Sequence, residues 1–213
     1  MAERDRVHWN RRYRRGDAPV RLRPRPWLTA HTPLLQELAA QVQAQGEVPQ
    51  ALDVACGPGG NALWLAARGW RVVGVDISDE ALQQARSAAR RLGLAHRCHF
   101  LQADLDRWRP RPHHVHLVLC FYFLDRRLWP GLARALRPGG LLVMQTFNRT
   151  WRKVRPTTNP AYLLEPGEWL RLAESWGWPV LDHHTGGQEG AARYSDGVVL
   201  QKPQAQEAPG GEG

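Results

Sequence analysis

The chain has 213 residues, enough for one domain with a sizeable core, and 43% of them are hydrophobic, which excludes a disordered chain. No apolar run reaches the roughly 18 residues that a membrane span needs, and the basic N-terminus lacks the apolar stretch of a secretion signal. The three cysteines are scattered without Cys-x-x-Cys spacing, which favours reduced thiols. These features predict a soluble, cytoplasmic protein.

The formal net charge is +9, and it is carried by arginine, because the only lysines are Lys153 and Lys202. The arginines cluster in residues 1–27, 107–112 and 149–155. Such clusters can bind phosphate or pair with carboxylates. No RNA- or DNA-binding motif accompanies them, so a solvated surface is the simpler interpretation and nucleic-acid binding stays an alternative.

Predicted strands and helices alternate along the chain, which indicates a parallel sheet with helices on both faces. After an N-terminal arm, helices are predicted over about residues 32–45, 61–68, 79–93, 126–136 and 165–177. Strands are predicted over residues 51–55, 71–77, 96–105, 116–123, 141–147, 178–185 and 192–201. The last two are expected to form an edge hairpin.

The alternation stops after Phe147, where residues 148–164 are long, polar and interrupted by Pro156 and Pro160. A segment of that kind predicts a functional lid or a flexible insertion. We therefore divide the chain into a basic arm over residues 1–31, one domain over 32–202, and a disordered tail over 203–213.

The stretch DVACGPGGNA, residues 53–62, predicts a ligand-binding turn after the first strand of the domain. Read from Gly57, it fits the G-x-G-x-x-A pattern of a dinucleotide-binding loop, and read from Asp53 it fits the loop that holds S-adenosylmethionine (SAM). Asp76 ends the next strand, where a carboxylate can accept hydrogen bonds from ribose hydroxyls. Together these residues indicate a nucleoside-containing cofactor.

The charge of Asp53 separates the two interpretations. A pyrophosphate prefers bare amides and a positive helix end, and Asp53 would repel it by roughly 3 kcal/mol at ~5 Å and an effective dielectric constant of ~20. SAM presents an ammonium and a sulfonium, both positive, to the same carboxylate. Asp104, which is predicted to end the third strand, can accept from an adenine amine. No Tyr-x-x-x-Lys dehydrogenase pair is present. The balance favours SAM.

Four motifs in this order resemble those of class I SAM-dependent methyltransferases. They are the glycine loop with the helix and strand that follow it, ADL at 103–105, the fourth strand, and LRPGGLLVMQTF at 136–147. The match covers roughly residues 50–148. The resemblance implies an α/β fold with a single doubly wound, Rossmann-like, seven-stranded mixed sheet in the order 3-2-1-4-5-7-6, with strand seven antiparallel.

The resemblance also implies which residues hold the cofactor. Asp53, Ala55, Gly57 and Gly59 would surround the methionine part of SAM, Asp76 would bind the ribose, and Asp104 with Leu105 would lie near the adenine. Four further cofactor-binding candidates flank these motifs or end the fourth strand: Asn61, Ile77, Cys120 and Tyr122. Ala55 departs from the family, which usually has glycine there, so we expect altered cofactor placement rather than loss.

The segments WNRRYRRGD at 9–17 and NPAYLLEPGEWLRL at 159–172 are similar to a smaller bacterial group related to tellurite-resistance and thiopurine methyltransferases. In that group the arm folds back over the cofactor. The resemblance therefore suggests Trp9, Arg12 or Tyr13 as part of a cover, and we count Tyr13 among the cofactor-binding residues.

The motifs name no catalytic residue, because methyl transfer depends mostly on alignment of two reactants in a dry pocket. Cys120 lacks a proline neighbour, so a small buried side chain is favoured over a nucleophile. His113, His114 and His116 have no carboxylate or cysteine at ligand spacing, which predicts surface histidines and no metal site.

The predicted function is SAM-dependent methyl transfer (EC 2.1.1.-) to a small-molecule acceptor, with S-adenosylhomocysteine (SAH) as the product. We expect the arginine clusters at the N-terminus and at 149–155 to form an electropositive rim that selects an anionic acceptor. Two alternatives remain from the sequence: an RNA methyltransferase that uses the arginine-rich arm, and a non-catalytic SAM- or NAD-binding module.

Overall fold

A single seven-stranded sheet forms the centre of the computed structural model, which describes residues 2–14, 23–186 and 193–204. The strands are β1 (Gln50–Val54), β2 (Arg71–Asp76), β3 (Cys98–Gln102), β4 (Val115–Phe121), β5 (Leu136–Phe147), β6 (Val180–Thr185) and β7 (Ser195–Gln201). Their order is β3-β2-β1-β4-β5-β7-β6. The first five strands are parallel, and β7 runs antiparallel to both β5 and β6. The predicted fold class and strand order are confirmed.

Helices cover both faces of this sheet. Within the described ranges they are α1 (Ala2–Arg14), α2 (Pro26–Ala30), α3 (Thr32–Ala44), α4 (Gly60–Ala66), α5 (Asp79–Arg91), α6 (Trp129–Ala135) and α7 (Glu168–Trp176). Successive residues of β4 enter opposite hydrophobic clusters: Leu117 packs with α2 to α5, and Val118 packs with α6 and α7. Because β4 is buried along its whole length, it reads as a continuous apolar run with one histidine.

Helix α5 begins where the sequence indicates. The Ser78 hydroxyl accepts a hydrogen bond from the Ala81 amide at 3.1 Å, and Asp79 and Glu80 occupy the first turn. The same hydroxyl donates to the Asn10 side chain at 2.7 Å. The cap of α5 therefore also holds α1 against α5.

Several boundaries differ from the predictions. Strand β3 ends at Gln102, so Asp104 and Leu105 lie in the turn after it, and β4 ends at Phe121, one residue before Tyr122. The RPGG stretch lies inside β5, where the register with β4 shifts, instead of preceding the strand. The short helix α2 lies within the predicted arm.

The prediction of surface histidines is wrong for His116. Its side chain is buried at the start of β4, and its Nδ1 accepts a hydrogen bond from the Gln50 amide at 3.1 Å. That partner is a backbone group from another strand, which the local sequence does not reveal. Burial is the largest cause that lowers the pKa of His116.

Parts of three predictions lie outside the described residues: 1 and 15–22 of the arm, 187–192 of the domain with the first residue of its last predicted strand, and 205–213 of the tail. None of the helices in the described ranges is long and apolar enough to cross a membrane.

Candidate cofactor and acceptor site

The predicted cofactor loop lies at the carboxyl ends of β1, β2 and β4, where neighbouring connections leave β1 and β4 toward opposite faces of the sheet. Open α/β sheets bind their ligands at such a position. The backbone between β1 and α4 turns through three residues with left-handed φ values: Ala55 at 54°, Gly57 at 53° and Gly59 at 80°. Glycine adopts that conformation without strain, whereas alanine does so at a cost.

Asp76 ties this loop to the end of β2. Its Oδ2 accepts a hydrogen bond from the Gly57 amide at 2.8 Å, and its Oδ1 accepts one from the Ser78 amide at 2.9 Å. Burial raises the pKa of Asp76, and the amide hydrogen bonds oppose that shift. A carboxylate has about four lone-pair directions, so these two bonds leave capacity for ribose hydroxyls.

Asp53 lies buried beneath the loop at the end of β1. Its Oδ2 is buried and has no hydrogen-bond partner in the part of the chain that the structure describes. Burial raises the pKa of Asp53 to about 7, and a hydrogen bond from the Ala62 backbone acts in the opposite direction. A buried carboxyl oxygen without a donor is unfavourable. A ligand ammonium would supply that donor, so the residues present fit the SAM cofactor.

The N-terminal helix places Tyr13 over the glycine loop. Asn10 donates to Asp79 at 2.6 Å and Gln84 donates to the Tyr13 carbonyl at 2.9 Å, which fixes α1 on α5. The Tyr13 hydroxyl lies so close to Gly57 that a Cβ atom added there would be 2.9 Å away. Burial, with Asp76 nearby, raises the pKa of Tyr13 to about 12. Tyr13 is therefore a neutral phenol at the loop.

The other two predicted cover residues lie farther from the loop. Trp9 stacks on Tyr13 with ring centroids 6.1 Å apart and lines the neighbouring cavity. The Arg12 guanidinium is exposed and lies 5.4 Å from the centre of the Trp9 ring.

The sequence interpretation missed Arg25. Its amide donates to the Asn61 side chain at 2.9 Å, and its guanidinium lies 4.6 Å from the centre of the Tyr122 ring. Burial raises the pKa of Asp53, and the charge of Arg25 opposes that rise. One feature of the sequence could have distinguished it from the other arginines of residues 1–27: Pro24 and Pro26 flank it and restrict the backbone.

A cavity of about 580 Å³ adjoins the loop. Its walls come from α1, the turns after β2 and β3, residues 122–127, the end of β5 and the predicted lid. Four predicted cofactor residues are among its lining residues: Ile77, Asp104, Leu105 and Tyr122. The cavity lining does not include Asp53, Ala55, Gly57, Gly59, Asn61, Asp76 or Cys120, and Tyr13 lies above the loop beside the cavity.

The end of the cavity near β4 and β5 is aromatic. The Tyr122 and Phe147 rings have centroids 4.8 Å apart, and Phe147 stacks on Trp151 at 4.1 Å with an interplanar angle of 15°. Tyr122 has a φ of 56°, which is unusual for a bulky residue. Strained backbone of this kind is concentrated at functional sites.

The arginines around this end of the cavity have protein partners. Arg126 pairs with Glu168 and donates to the carbonyls of Ala161 at 2.8 Å and Leu163 at 3.0 Å. These bonds attach the predicted lid to the turn that precedes α6. Arg127 pairs with Asp125 at 2.8 Å and with Asp106 at 2.7 Å.

Cys120 is buried at the end of β4. Burial, with the Asp53 charge nearby, raises the pKa of its thiol to about 12. A thiol with that pKa is protonated at neutral pH and is a poor nucleophile. The geometry agrees with the interpretation of Cys120 as a small buried side chain.

Comparison with known proteins shows what this domain is similar to. Residues 51–140, which include the glycine loop and Asp76, match the family model described as "Methyltransferase domain". The chain is 34% identical over 145 residues to trans-aconitate 2-methyltransferase of Paracidovorax citrulli, across 64% of this chain and 49% of that protein. It is 28% identical over 154 residues to ubiquinone biosynthesis O-methyltransferase of Yersinia pestis, across 63% of each. The chain thus spans about half the length of the first of these relatives.

A solved structure shares the fold. Magnesium protoporphyrin IX methyltransferase from Synechocystis PCC 6803, crystallised with bound SAH, superimposes with a TM-score of 0.64 and 19% sequence identity, over 95% of this chain and 100% of that chain. The fold, the matched model and the loop geometry are thus similar to those of class I, SAM-dependent methyltransferase domains.

Proposed function

We propose that the chain transfers a methyl group from SAM to a small-molecule acceptor and releases SAH. The single observation that carries the proposal is the unpartnered, buried Oδ2 of Asp53 beneath a loop that turns through left-handed φ values at Ala55, Gly57 and Gly59. When bound, SAM supplies an electrophilic methyl group on a positively charged sulfur. The named relatives act on small molecules, which supports an acceptor of that size.

The roles proposed for the cofactor residues follow their positions. Asp53 would pair with the ammonium of the methionine part, and Asp76 would accept hydrogen bonds from the ribose while it holds the loop. Arg25 lies over the Tyr122 ring and its charge acts on Asp53, so it would pair with the cofactor carboxylate. Tyr13 would donate its hydroxyl hydrogen over the loop.

At the adenine end, the side chains of Ile77 and Leu105 offer apolar contacts, and Asp104 offers an acceptor for the exocyclic amine. The Asp104 carboxylate is oriented by the hydrogen bond that its Oδ1 accepts from the Asp106 amide at 3.0 Å. Ala55 would narrow the approach to the methionine part without closing it.

We assign the chain no catalytic base. Its contribution to the reaction would be to hold the acceptor in line with the methyl group and to exclude water, which by itself can supply several kcal/mol. The segment 148–164 would act as the lid, because Arg126 attaches it beside the cavity that it lines.

The similarity to the tellurite-resistance and thiopurine group is part of the proposal, as is the division into an arm, one domain and a tail. What supports both is α1, which lies across α5 with Tyr13 over the loop. A chain without residues 1–14 should fold and bind SAH more weakly, and unchanged affinity would contradict the proposed cover.

An anionic acceptor held by Arg149, Arg152 and Arg155 finds no support in their positions. Arg149 pairs with Glu165, and the Arg152 Nε donates to the Pro156 carbonyl at 3.1 Å. None of the three is among the described residues that line the cavity.

Calorimetry of the full chain with SAM, SAH and NAD⁺ tests the proposed cofactor. We expect binding of SAM and SAH, no binding of NAD⁺, and at least a 100-fold loss in the Asp76→Ala variant. Glu37→Gln, which changes an exposed carboxylate of α3, is the matched control. Binding of NAD⁺ without SAM would overturn the proposal.

A further inference from the structure

We infer that the acceptor is an uncharged, planar aromatic molecule, and that the acceptor end of the cavity discriminates against carboxylate and phosphate groups. The inference rests on the proposed function, because the cofactor is taken to occupy the loop and the adenine end.

The first support is the aromatic wall. Phe147 is held between Trp151, on which it stacks in parallel, and Tyr122. Tyr162 lines the cavity from the predicted lid and is 59% exposed, so a large part of its ring is free to cover a ligand. Planar rings gain both buried area and ring–ring contact from such surroundings.

The second support is that neither of the arginines in the described lining is free to bind an anion. The cavity is lined by two arginines, Arg126 and Arg127, and both are paired with carboxylates. The Arg126 guanidinium also donates to two carbonyls of the predicted lid. An anionic acceptor would have to break one of these ion pairs or remain unpaired, and both are unfavourable.

The third support is the sign of the charge in the lining. Four aspartates line the cavity against two arginines, and Glu168 further neutralises Arg126. Since the lining is net negative, it repels an anion that enters it. Thr146, buried at the end of β5, supplies a neutral hydroxyl to the same cavity, which suits an uncharged polar group on the acceptor.

The test compares three two-ring probes of similar size: 2-naphthol, which is aromatic and uncharged, 2-naphthoate, which is aromatic and anionic, and 2-decalol, which is saturated and uncharged. Their binding to the full chain is measured by calorimetry with SAH present and absent. We expect 2-naphthol to bind at least tenfold more tightly than either of the others, and the Tyr162→Ala variant to lose at least threefold of that affinity.

A charge exchange sharpens the test. Asp106→Asn with Asp125→Asn removes both carboxylates that pair with Arg127, so 2-naphthoate should bind about tenfold more tightly while 2-naphthol changes less than twofold. Glu37→Gln with Glu174→Gln makes the same change of net charge at exposed positions away from the cavity and should alter neither.

Equal binding of 2-naphthoate and 2-naphthol to the unchanged protein would overturn the inference, and so would no binding of any probe. Tight binding of 2-naphthol that survives Tyr162→Ala unchanged would do the same. Failure of SAH to bind would instead contradict the proposed function, and the ranking of the probes on the protein without SAH would still decide the acceptor class.

Discussion

The cofactor half and the acceptor half of the site are built in different ways. Asp53 and the glycines that follow it lie within one short stretch, and Asp76 comes at the end of the next strand. The acceptor half depends on distant pairs, such as Arg126 with Glu168, 42 residues apart. In the proposed function, a nucleoside cofactor would thus be recognised mostly by a local backbone turn and two carboxylates, whereas the acceptor would be recognised by side chains that only the tertiary fold brings together.

The largest expected effect is in the cofactor half. Asp53→Asn removes the charge proposed to pair with the cofactor ammonium, an interaction of roughly 3 kcal/mol at ~5 Å. SAH affinity should therefore fall about 100-fold at pH 8, as measured by calorimetry.

The stability of the same variant separates lost binding from lost folding. The folded-state pKa of Asp53 is about 7, above its ordinary value of 3.8. The group therefore contributes stability that is complete below about pH 4 and is lost as pH rises through 7. Asparagine does not ionise, so it does not lose stability as the pH rises. The melting temperature of the unliganded variant at pH 8 should therefore be no lower than that of the unchanged protein. A variant that melts normally and binds SAH within threefold of the unchanged protein would refute the pairing.

A related prediction concerns the pH dependence of cofactor binding. Below pH 7 Asp53 must release a proton before it can pair with a cation, so SAH affinity should weaken about tenfold for each pH unit between 6.5 and 5. The raised pKa of Asp76 acts in the same direction. Calorimetry in two buffers of different ionisation enthalpy would detect the released proton. The Asp53→Asn variant is the control, and a flat profile in the unchanged protein would argue against the linkage.

The third prediction concerns the acceptor half. Arg126→Ala removes the hydrogen bonds from the guanidinium to the predicted lid and to Glu168. Charge-assisted hydrogen bonds each contribute about 1.5–3 kcal/mol. Hydrogen exchange in residues 149–164 should therefore speed up about tenfold or more, while SAH affinity stays within twofold.

Arg171→Ala is the matched control, because Arg171 is an exposed arginine of α7 that donates to the Pro166 carbonyl. It should leave exchange in the predicted lid unchanged. If both variants exchange alike, Arg126 does not hold the lid, and the two halves of the site are less separate than the contacts indicate.

The same division explains what the sequence predicts and what it does not. Asp76 and the Ser78 cap can be predicted from neighbouring residues, because Asp76 ends an apolar strand and Ser78 precedes the acidic first turn of a helix. Arg25 cannot, since its partners Asn61 and Tyr122 come from other elements. The strand order is predicted from the resemblance to class I methyltransferases, because the alternation of hydrophobic residues does not determine which strands are neighbours.

The smallest expected effect tests Ala55, the position where the loop departs from glycine. Its φ of 54° costs an L-residue roughly 1–2 kcal/mol, and glycine loses part of that advantage through its more flexible unfolded chain. Ala55→Gly should thus raise the free energy of unfolding by about 0.5–1 kcal/mol. Ala67→Gly, at an exposed residue with φ of −63°, should lower it by a similar amount.

Urea unfolding measures the change in the free energy of unfolding for both variants, which should have opposite signs. Calorimetry with SAH is carried out on the same variants. A stabilised Ala55→Gly variant with SAH affinity within threefold would mean that the backbone conformation favours glycine at this position. If Ala55→Gly destabilised the protein as Ala67→Gly does, the proposed backbone strain at Ala55 would be refuted. If the SAH affinity of Ala55→Gly rose strongly without a gain in stability, the alanine methyl group would be acting on the ligand and not on the backbone. The methyl group would then restrict how the cofactor lies in the loop.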